Sequence, residues 1–246
     1  MGIKYLEDPD LQFLVHAKND DLKVLVGYLT KDKDGGTRWA QELLGEKRFK
    51  AAGANFVEVW DLIAAELQLF GGNSIVNTWR GNGVPYHELL CDVCSQLGGN
   101  VDNSMSAYEI ENLVLAKLME KTWEDMSPEQ RKRFCETIWL PDGGKHGPNL
   151  YEIIKIIKTS MFTSFLISGV VAGSLATELL GGRLAAVFAE FAALHLRALS
   201  LASSAGILGT VPGVVYVVAG PAYRITLPCV VQIAYMRRAM MNDDRY

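Results

Sequence analysis

Three side chains that could bind a metal ion lie together in YHELLCDVC: His87, Cys91 and Cys94. Their spacing of four and then three residues places them on one face of a helix. Zn²⁺ accepts nitrogen and sulfur ligands, but a structural zinc site needs a fourth ligand and usually a second paired motif. The other soft side chains in this part of the chain form no such pair: His16, Cys135 and His146. Because cysteine is often a buried apolar residue, we expect buried thiols and no metal, with these three as the only zinc candidates.

The two cysteines also form a CxxC motif, which in redox proteins sits in a βαβ setting. The chain shows no strand pattern around it, so a redox centre is not predicted. No spacing ties a nucleophile to a base, and the neighbouring carboxylates Glu109 and Glu111 are interpreted as solvated. We therefore predict a protein that is not an enzyme, with no catalytic residues and no cofactor.

A second group of residues, Arg80, Gly81 and Gly83, stands in the stretch FGGNSIVNTWRGNGVPY. A phosphate-binding loop would need GxxxxGK[ST] after a strand, and neither feature is present. Pro85 is suited to the first turn of the next helix, because its missing N–H is not needed there. The pattern predicts a glycine corner at which two helices pack closely.

Apolar periodicity and capping residues predict an all-α protein. A stripe in VEVWDLIAAELQLF indicates a helix that Gly71 and Gly72 end. Ser104 or Ser106 can cap a long helix with Glu109 in its first turn. Further helices are predicted at the following places: 37–44, 74–80, 86–97 and from Pro128 onward.

Charge divides the chain into two parts. Residues 1–158 carry 42 of the 52 charged side chains, whereas residues 159–236 carry five. The boundary falls in LPDGGKHGPN, which has the composition of a linker. We predict a soluble helical domain over residues 1–145 and a Gly/Ala-rich, hydrophobic, membrane-associating helical domain over residues 146–246. The net charge of −4 argues against nucleic-acid binding.

The apolar part has the features of a membrane protein and also of a soluble bundle. It is free of charge for nineteen residues from Thr159 to Thr177, close to the length that crosses a bilayer. Arg183, Glu190 and Arg197 follow at intervals of seven and predict a polar stripe that faces a lumen, a partner helix or solvent. Arg237 and Arg238 follow an apolar helix, as basic residues do at a cytoplasmic membrane margin.

Three stretches resemble the YaaW-like bacterial family: DPDLQFLVHAKNDDLKVLVGYLTKD, ELQLFGGNSIVNTWRGNGVPYHELLCDVC and AGPAYRITLPCVVQIAYMR. Part of that family is labelled as similar to the ubiquinol–cytochrome c chaperone domain, which implies a role in assembling a respiratory complex. This likeness covers residues 55–135 and carries over no catalytic residue. The family often has Lys at the position of His87, which argues against zinc.

Two functions follow as expectations. The first is a non-enzymatic, membrane-associating protein, with pore formation left open. Its soluble half would regulate or recruit. The second is an assembly chaperone that binds an apolar partner segment. The expected partners are membrane lipid or an apolar protein, with a homo-oligomer left open. The acidic start MGIKYLEDPD has no secretory leader pattern, so we expect a cytoplasmic protein associated with the inner face of the membrane.

Overall fold

The fold is known from a computed structural model that describes residues 2–31, 36–37, 41–72, 83–102, 104–137, 149–160, 164–165, 167–169, 171–172 and 223–242. Within these residues the protein is helical and has no strand, which confirms the all-α prediction. The described α-helices are α1 (Asn19–Thr30), α2 (Lys47–Ala52), α3 (Trp60–Gly72), α4 (Tyr86–Gln96), α5 (Ala107–Asp125), α6 (Pro128–Thr137), α7 (Leu150–Thr159) and α8 (Tyr223–Asn242). Three short 3₁₀ helices join them at Gln12–His16, Leu43–Gly45 and Phe56–Val59.

The capping signals in the sequence define the start of α5. The Ser106 hydroxyl accepts a hydrogen bond from the Glu109 N–H, and the Glu109 carboxylate accepts one from the Ser106 N–H, at 2.8 Å. This reciprocal pair is a capping box, which satisfies N–H groups that have no partner within the helix. Pro128 begins α6, as predicted. Helix α3 is described as far as Gly72 and includes both glycines that were expected to end it, and the residues that follow lie outside the described part of the chain.

The helix predicted over residues 37–44 is wrong at the positions that the structure describes. Thr37 pairs with Lys31 in an isolated antiparallel bridge, and only Leu43–Gly45 form a single 3₁₀ turn. Side chains take the backbone N–H groups that a helix would use. The Glu66 carboxylate accepts the Glu42 N–H at 3.0 Å. A side chain that takes a backbone N–H group in this way competes with the hydrogen bonds of a regular helix.

Helix α8 runs through the core of the protein. It packs against α1, α3, α4 and α5, and nearly all of its side chains are buried. One hydrophobic cluster extends from Leu11 to Met240, so the two ends of the described chain share a single core. Burying apolar surface contributes about 25 cal/mol per Å², so this long buried helix is a large part of the folding free energy.

A second segment from the apolar part joins the same core. The described residues of the 164–172 segment are helical, and Ile167, Val171 and Ala172 are buried. Its first residue, Ser164, contacts Arg238, whereas Gly169 lies against Tyr235. The 164–172 segment therefore packs against the C-terminal half of α8.

The predicted division at residues 145 and 146 lies outside the described residues and stays a prediction. The described ends of the second predicted domain, however, pack into the same core as α1, α3, α4 and α5. The described residues on either side of 173–222 therefore belong to one helical domain.

Candidate functional site

The structure describes some of the predicted site residues and not others. Gly83, His87, Cys91 and Cys94 lie within the described residues. The remaining predicted site residues lie outside them: Arg80, Gly81, Arg183, Glu190 and Arg197. The polar stripe of the apolar part therefore stays a prediction.

Gly71 and Gly83, on either side of the predicted corner, are sites of close packing. The corner itself, between the helices predicted over 74–80 and 86–97, lies largely outside the described residues and stays a prediction. A Cβ on Gly83 would lie 2.7 Å from the Gln68 Cβ, and one on Gly71 would lie 2.7 Å from a Val84 methyl. Contacts below 3.0 Å are not tolerated without movement of a neighbour. The backbone before α4 consequently lies directly against α3, where the Val84 N–H donates to the Gln68 carbonyl at 3.1 Å.

His87 and Cys91 form a contact on the partly exposed face of α4. The Cys91 Sγ lies 3.6 Å from His87 Nδ1, and His87 Nε2 lies 2.8 Å from the Met105 carbonyl oxygen. A carbonyl can only accept, so Nε2 carries the hydrogen and Nδ1 is the acceptor in the neutral ring. The expectation that nothing ties a nucleophile to a base is therefore wrong for this pair.

The chemistry of Cys91 is not that of an activated nucleophile. Partial burial raises the pKa of its thiol, and the neighbouring carboxylates of Asp92 and Glu88 raise it further. Reactive cysteines instead have a lowered pKa beside cationic groups or at a helix N-terminus. The absence of enzymatic activity stays a prediction.

Cys94 does not join the pair as a third member of a metal cluster. It is fully buried, and a Cβ on Gly99 would overlap its Sγ. Burial raises the pKa of this thiol as well. Among the residues described, no group of three or more His, Cys, Asp or Glu side chains is arranged to hold a metal ion.

A buried ion network joins α5 to α8. The Arg238 side chain is completely buried, and its guanidinium donates to Glu111 at 3.0 Å, to Asn112 at 2.6 Å and to the Ser164 hydroxyl at 2.8 Å. Its Cζ lies 4.7 Å from the centre of the Tyr108 ring. A buried charge is tolerated only when it is paired and hydrogen-bonded, and this guanidinium meets both conditions.

Arg237 completes the network from the other side of the same carboxylate. Its Nε donates to Glu111 at 3.0 Å, and its Nη2 donates to the Asp10 carbonyl at 2.6 Å. Burial is the largest single effect and lowers the pKa of this guanidinium, but Glu111, Tyr86 and Asp10 together outweigh it and the net shift is upward. The guanidinium also lies over the Phe13 ring at 4.4 Å.

These contacts overturn two interpretations made from the sequence. Arg237 and Arg238 are not a basic pair at a membrane margin, because both side chains point into the core and share the Glu111 carboxylate. Glu111 is not solvated, since none of its side chain is exposed. A signal for its burial was present: Glu111 stands three and four residues before Val114 and Leu115 on the apolar face of α5.

The N-terminal residues reach the same region. The buried Asp8 carboxylate accepts the Tyr86 N–H at 2.6 Å, at the first residue of α4, and the Asp10 N–H at 2.9 Å. The Tyr86 hydroxyl donates to Glu111 at 3.2 Å. Burial holds the pKa of Tyr86 well above its usual range, so the phenol is a neutral donor. The N-terminus, α4, α5 and α8 thus meet at one polar centre.

This polar centre is suited to holding helices together rather than to catalysis. Its charges are hydrogen-bonded to one another, and the network is covered by apolar side chains. The network positions the two segments that flank residues 173–222, because it includes both Ser164 and Arg238 of α8. No helix in the described part of the chain combines the length and apolarity needed to cross a membrane.

Comparison with known proteins agrees with the resemblance. The UPF0174 protein YaaW of Escherichia coli strain K12 is 33% identical over 244 residues, which cover 97% of each chain. This chain belongs to the UPF0174 family. A UPF0174 protein of Helicobacter pylori strain J99 is 31% identical over 256 residues, covering 100% of this chain and 97% of its own.

Within this UPF0174 chain, residues 5–39 match a family described as Domain of unknown function (DUF3944). These residues contain Asp8, Asp10 and α1, and therefore the N-terminal contribution to the polar centre. No solved structure matches the chain.

Proposed function

We propose that this UPF0174 protein is a non-enzymatic, membrane-associating protein whose helical domain carries residues 173–222 to a bilayer. The observation behind the proposal is that both flanks of this apolar stretch are anchored in one core. Val171 and Ala172 precede it and are buried, and Tyr223 follows it with its hydroxyl bonded to the Asp92 carbonyl at 2.6 Å.

The contacts of the first flank also support this proposal. Ser164 accepts a hydrogen bond from Arg238 of α8 at 2.8 Å, and the Phe165 ring stacks on the Tyr235 ring with centroids 5.7 Å apart. The segment before residues 173–222 is thus packed on the helix that follows them. A domain that holds both flanks of an apolar stretch in this way can present that stretch to a bilayer.

The composition of the stretch supplies the physical reason for a bilayer. Residues 173–222 number fifty and include four charged side chains: Glu178, Arg183, Glu190 and Arg197. A charged side chain at the centre of a bilayer costs roughly 2.5–3.5 kcal/mol on insertion scales, so such residues face a cavity or a partner. With a spacing of seven between the last three, a shared polar stripe would allow insertion, including pore formation.

The alternative, an assembly chaperone, would need an apolar groove for its partner. Among the described residues, the exposed large hydrophobic side chains are Leu6 and Tyr151. Leu6 precedes the first helical element and Tyr151 lies in α7, so they do not share one helix face. Proteins that bind apolar segments present larger patches than single exposed residues. We therefore rank the chaperone second.

Flotation of the purified full-length protein with lipid vesicles tests the proposal, together with release of a trapped dye. We expect the protein to float, and Val215→Asp to weaken flotation because it adds a charge to the apolar stretch. Leu6→Asp is the matched control, since it adds the same charge on the described surface of the domain. Protein that stays with the soluble fraction and co-purifies with a defined membrane subunit would instead favour the chaperone.

A further inference from the structure

We propose that His87 and Cys91 form a two-ligand site for a thiophilic divalent cation, for which Zn²⁺ is the reference ion. The site does not rest on the proposed membrane association, because its two ligands lie on α4 and are argued from their contacts with each other and with Met105.

The distance between the two ligand atoms fits a shared ion. With Zn–S near 2.3 Å and Zn–N near 2.0–2.1 Å, two ligands of a tetrahedral zinc ion lie about 3.5 Å apart. The Cys91 Sγ and His87 Nδ1 lie 3.6 Å apart. Their spacing of four residues keeps them on one face of α4, so the ion requires no rearrangement of the backbone.

The orientation of the imidazole ring also fits. A metal-binding His almost always donates its other ring N–H to a carboxylate, a carbonyl or water, which fixes the tautomer and the ring plane. His87 Nε2 donates to the Met105 carbonyl at 2.8 Å. The Nδ1 lone pair is consequently directed at the position between the ring and Cys91.

The surroundings determine what kind of site this is. Both side chains are partly exposed, and the Glu88 and Asp92 carboxylates next to them in sequence add negative charge that favours a cation. With two protein ligands, the ion keeps water in its remaining positions, unlike a closed structural zinc site. Binding exchanges the thiol hydrogen for the metal: the S–H bond breaks, an S–Zn bond forms and one proton is released to solvent.

Cys94 provides a matched control within the same motif. Its Sγ is fully buried against Gly99, whereas the Cys91 side chain is partly exposed and contacts His87. We therefore assign the sulfur ligand to Cys91 and not to Cys94. A conventional CxxC zinc site would use both sulfurs.

The test is titration of the reduced full-length protein with Co²⁺, followed by displacement with Zn²⁺ against a chromophoric chelator. We expect one ion per chain, a thiolate-to-cobalt charge-transfer band and loss of that band in Cys91→Ser. His87→Asn should weaken binding at least about tenfold, because even partners that only orient a ligand contribute 10–100-fold. Cys94→Ser should keep the band, and circular dichroism of each metal-free variant should match the parent.

Removal of the ion with a chelator should leave the helical signal unchanged, because water completes the coordination. The melting temperature should fall only by the small amount that loss of a bound ligand causes. The proposal is overturned if no thiolate band appears, if the band survives in Cys91→Ser, or if Cys94→Ser abolishes it in a folded protein. It is also overturned if stripping the metal unfolds the chain, since that result describes a structural site with more ligands.

Discussion

Arg238 and Glu111 are both completely buried, and they join the last described helix to the middle of the chain through a hydrogen-bonded ion pair of 3.0 Å. Arg237 binds the other oxygen of the same carboxylate at 3.0 Å. One carboxylate therefore compensates two adjacent cations inside the core. Since Arg238 also holds Ser164, this pair fixes the positions of both segments that flank residues 173–222.

Replacing Glu111 with Gln should strongly destabilise the protein. The change leaves Arg238 buried without a counter-charge, and breaking a buried pair on one side costs about 3–5 kcal/mol. Urea unfolding followed by circular dichroism measures this loss. Asp61→Asn, which removes the exposed partner of Arg48, is the control and should cost less than about 1 kcal/mol. Equal losses in the two variants would contradict the role assigned to Glu111.

The Glu66 carboxyl should make stability depend on pH. Burial raises its pKa from the ordinary value of 4.5 to about 7, against the lowering effect of the Glu42 and Leu43 N–H groups, while the Glu42 and Glu46 carboxylates raise it further. The folded state thus holds this proton more tightly than the unfolded state. The stability that protonated Glu66 contributes is fully present below the pKa of this carboxyl in the unfolded chain, and it is lost as the pH rises through about 7.

Glu66→Gln should remove this part of the pH dependence, because the amide stays neutral and its oxygen can still accept the Glu42 N–H. Between about pH 5 and about pH 8, we expect the free energy of unfolding of the variant to rise relative to that of the parent by about 1–3 kcal/mol. Denaturant titrations at both pH values give the comparison. Parallel stability profiles for the two proteins would show that Glu66 ionises normally in the fold.

Gly83→Ala should be costly despite the small size of the change. The added methyl would lie 2.7 Å from the Gln68 Cβ and 3.1 Å from the Gln68 carbonyl carbon, which belongs to the backbone of α3 and cannot rotate away. Overpacking of this kind costs about 1–3 kcal/mol. Gly45→Ala is the control, because its methyl would meet no atom within 4 Å. Thermal unfolding should separate the variants by several degrees.

Asp8→Ala should weaken the junction between the N-terminus and α4. The substitution removes the acceptor for the Tyr86 N–H, which is one of the helix N–H groups that lack an internal partner. Loss of a capping acceptor costs about 0.5–2 kcal/mol. Hydrogen exchange at the first turn of α4 should accelerate, while exchange in α6 stays unchanged. Uniform acceleration across all helices would instead indicate a global loss of stability.

The sequence predicted the local features of this fold well. Ser106 as the cap of α5, with Glu109 in its first turn, and Pro128 at the start of α6 are decided by residues within one turn of each other. Gly83 packs against Gln68 of α3, a partner that the sequence pattern did not indicate. The helix predicted over 37–44 failed because Glu66, more than twenty residues away, takes the backbone donor of Glu42.

The tertiary structure alone decided which charges are buried. Composition suggested that Arg237 and Arg238 lie at a membrane margin, and only the fold brings Glu111 across 127 positions of sequence to neutralise Arg238. Likewise, the spacing of His87 and Cys91 fixes a shared helix face, but the Met105 carbonyl from another segment sets the tautomer. Periodicity and capping depend on neighbours along the chain, so the amino-acid sequence determined the helices. Pairing of buried charges depends on the free energy of desolvation in the assembled core, which no local pattern contains.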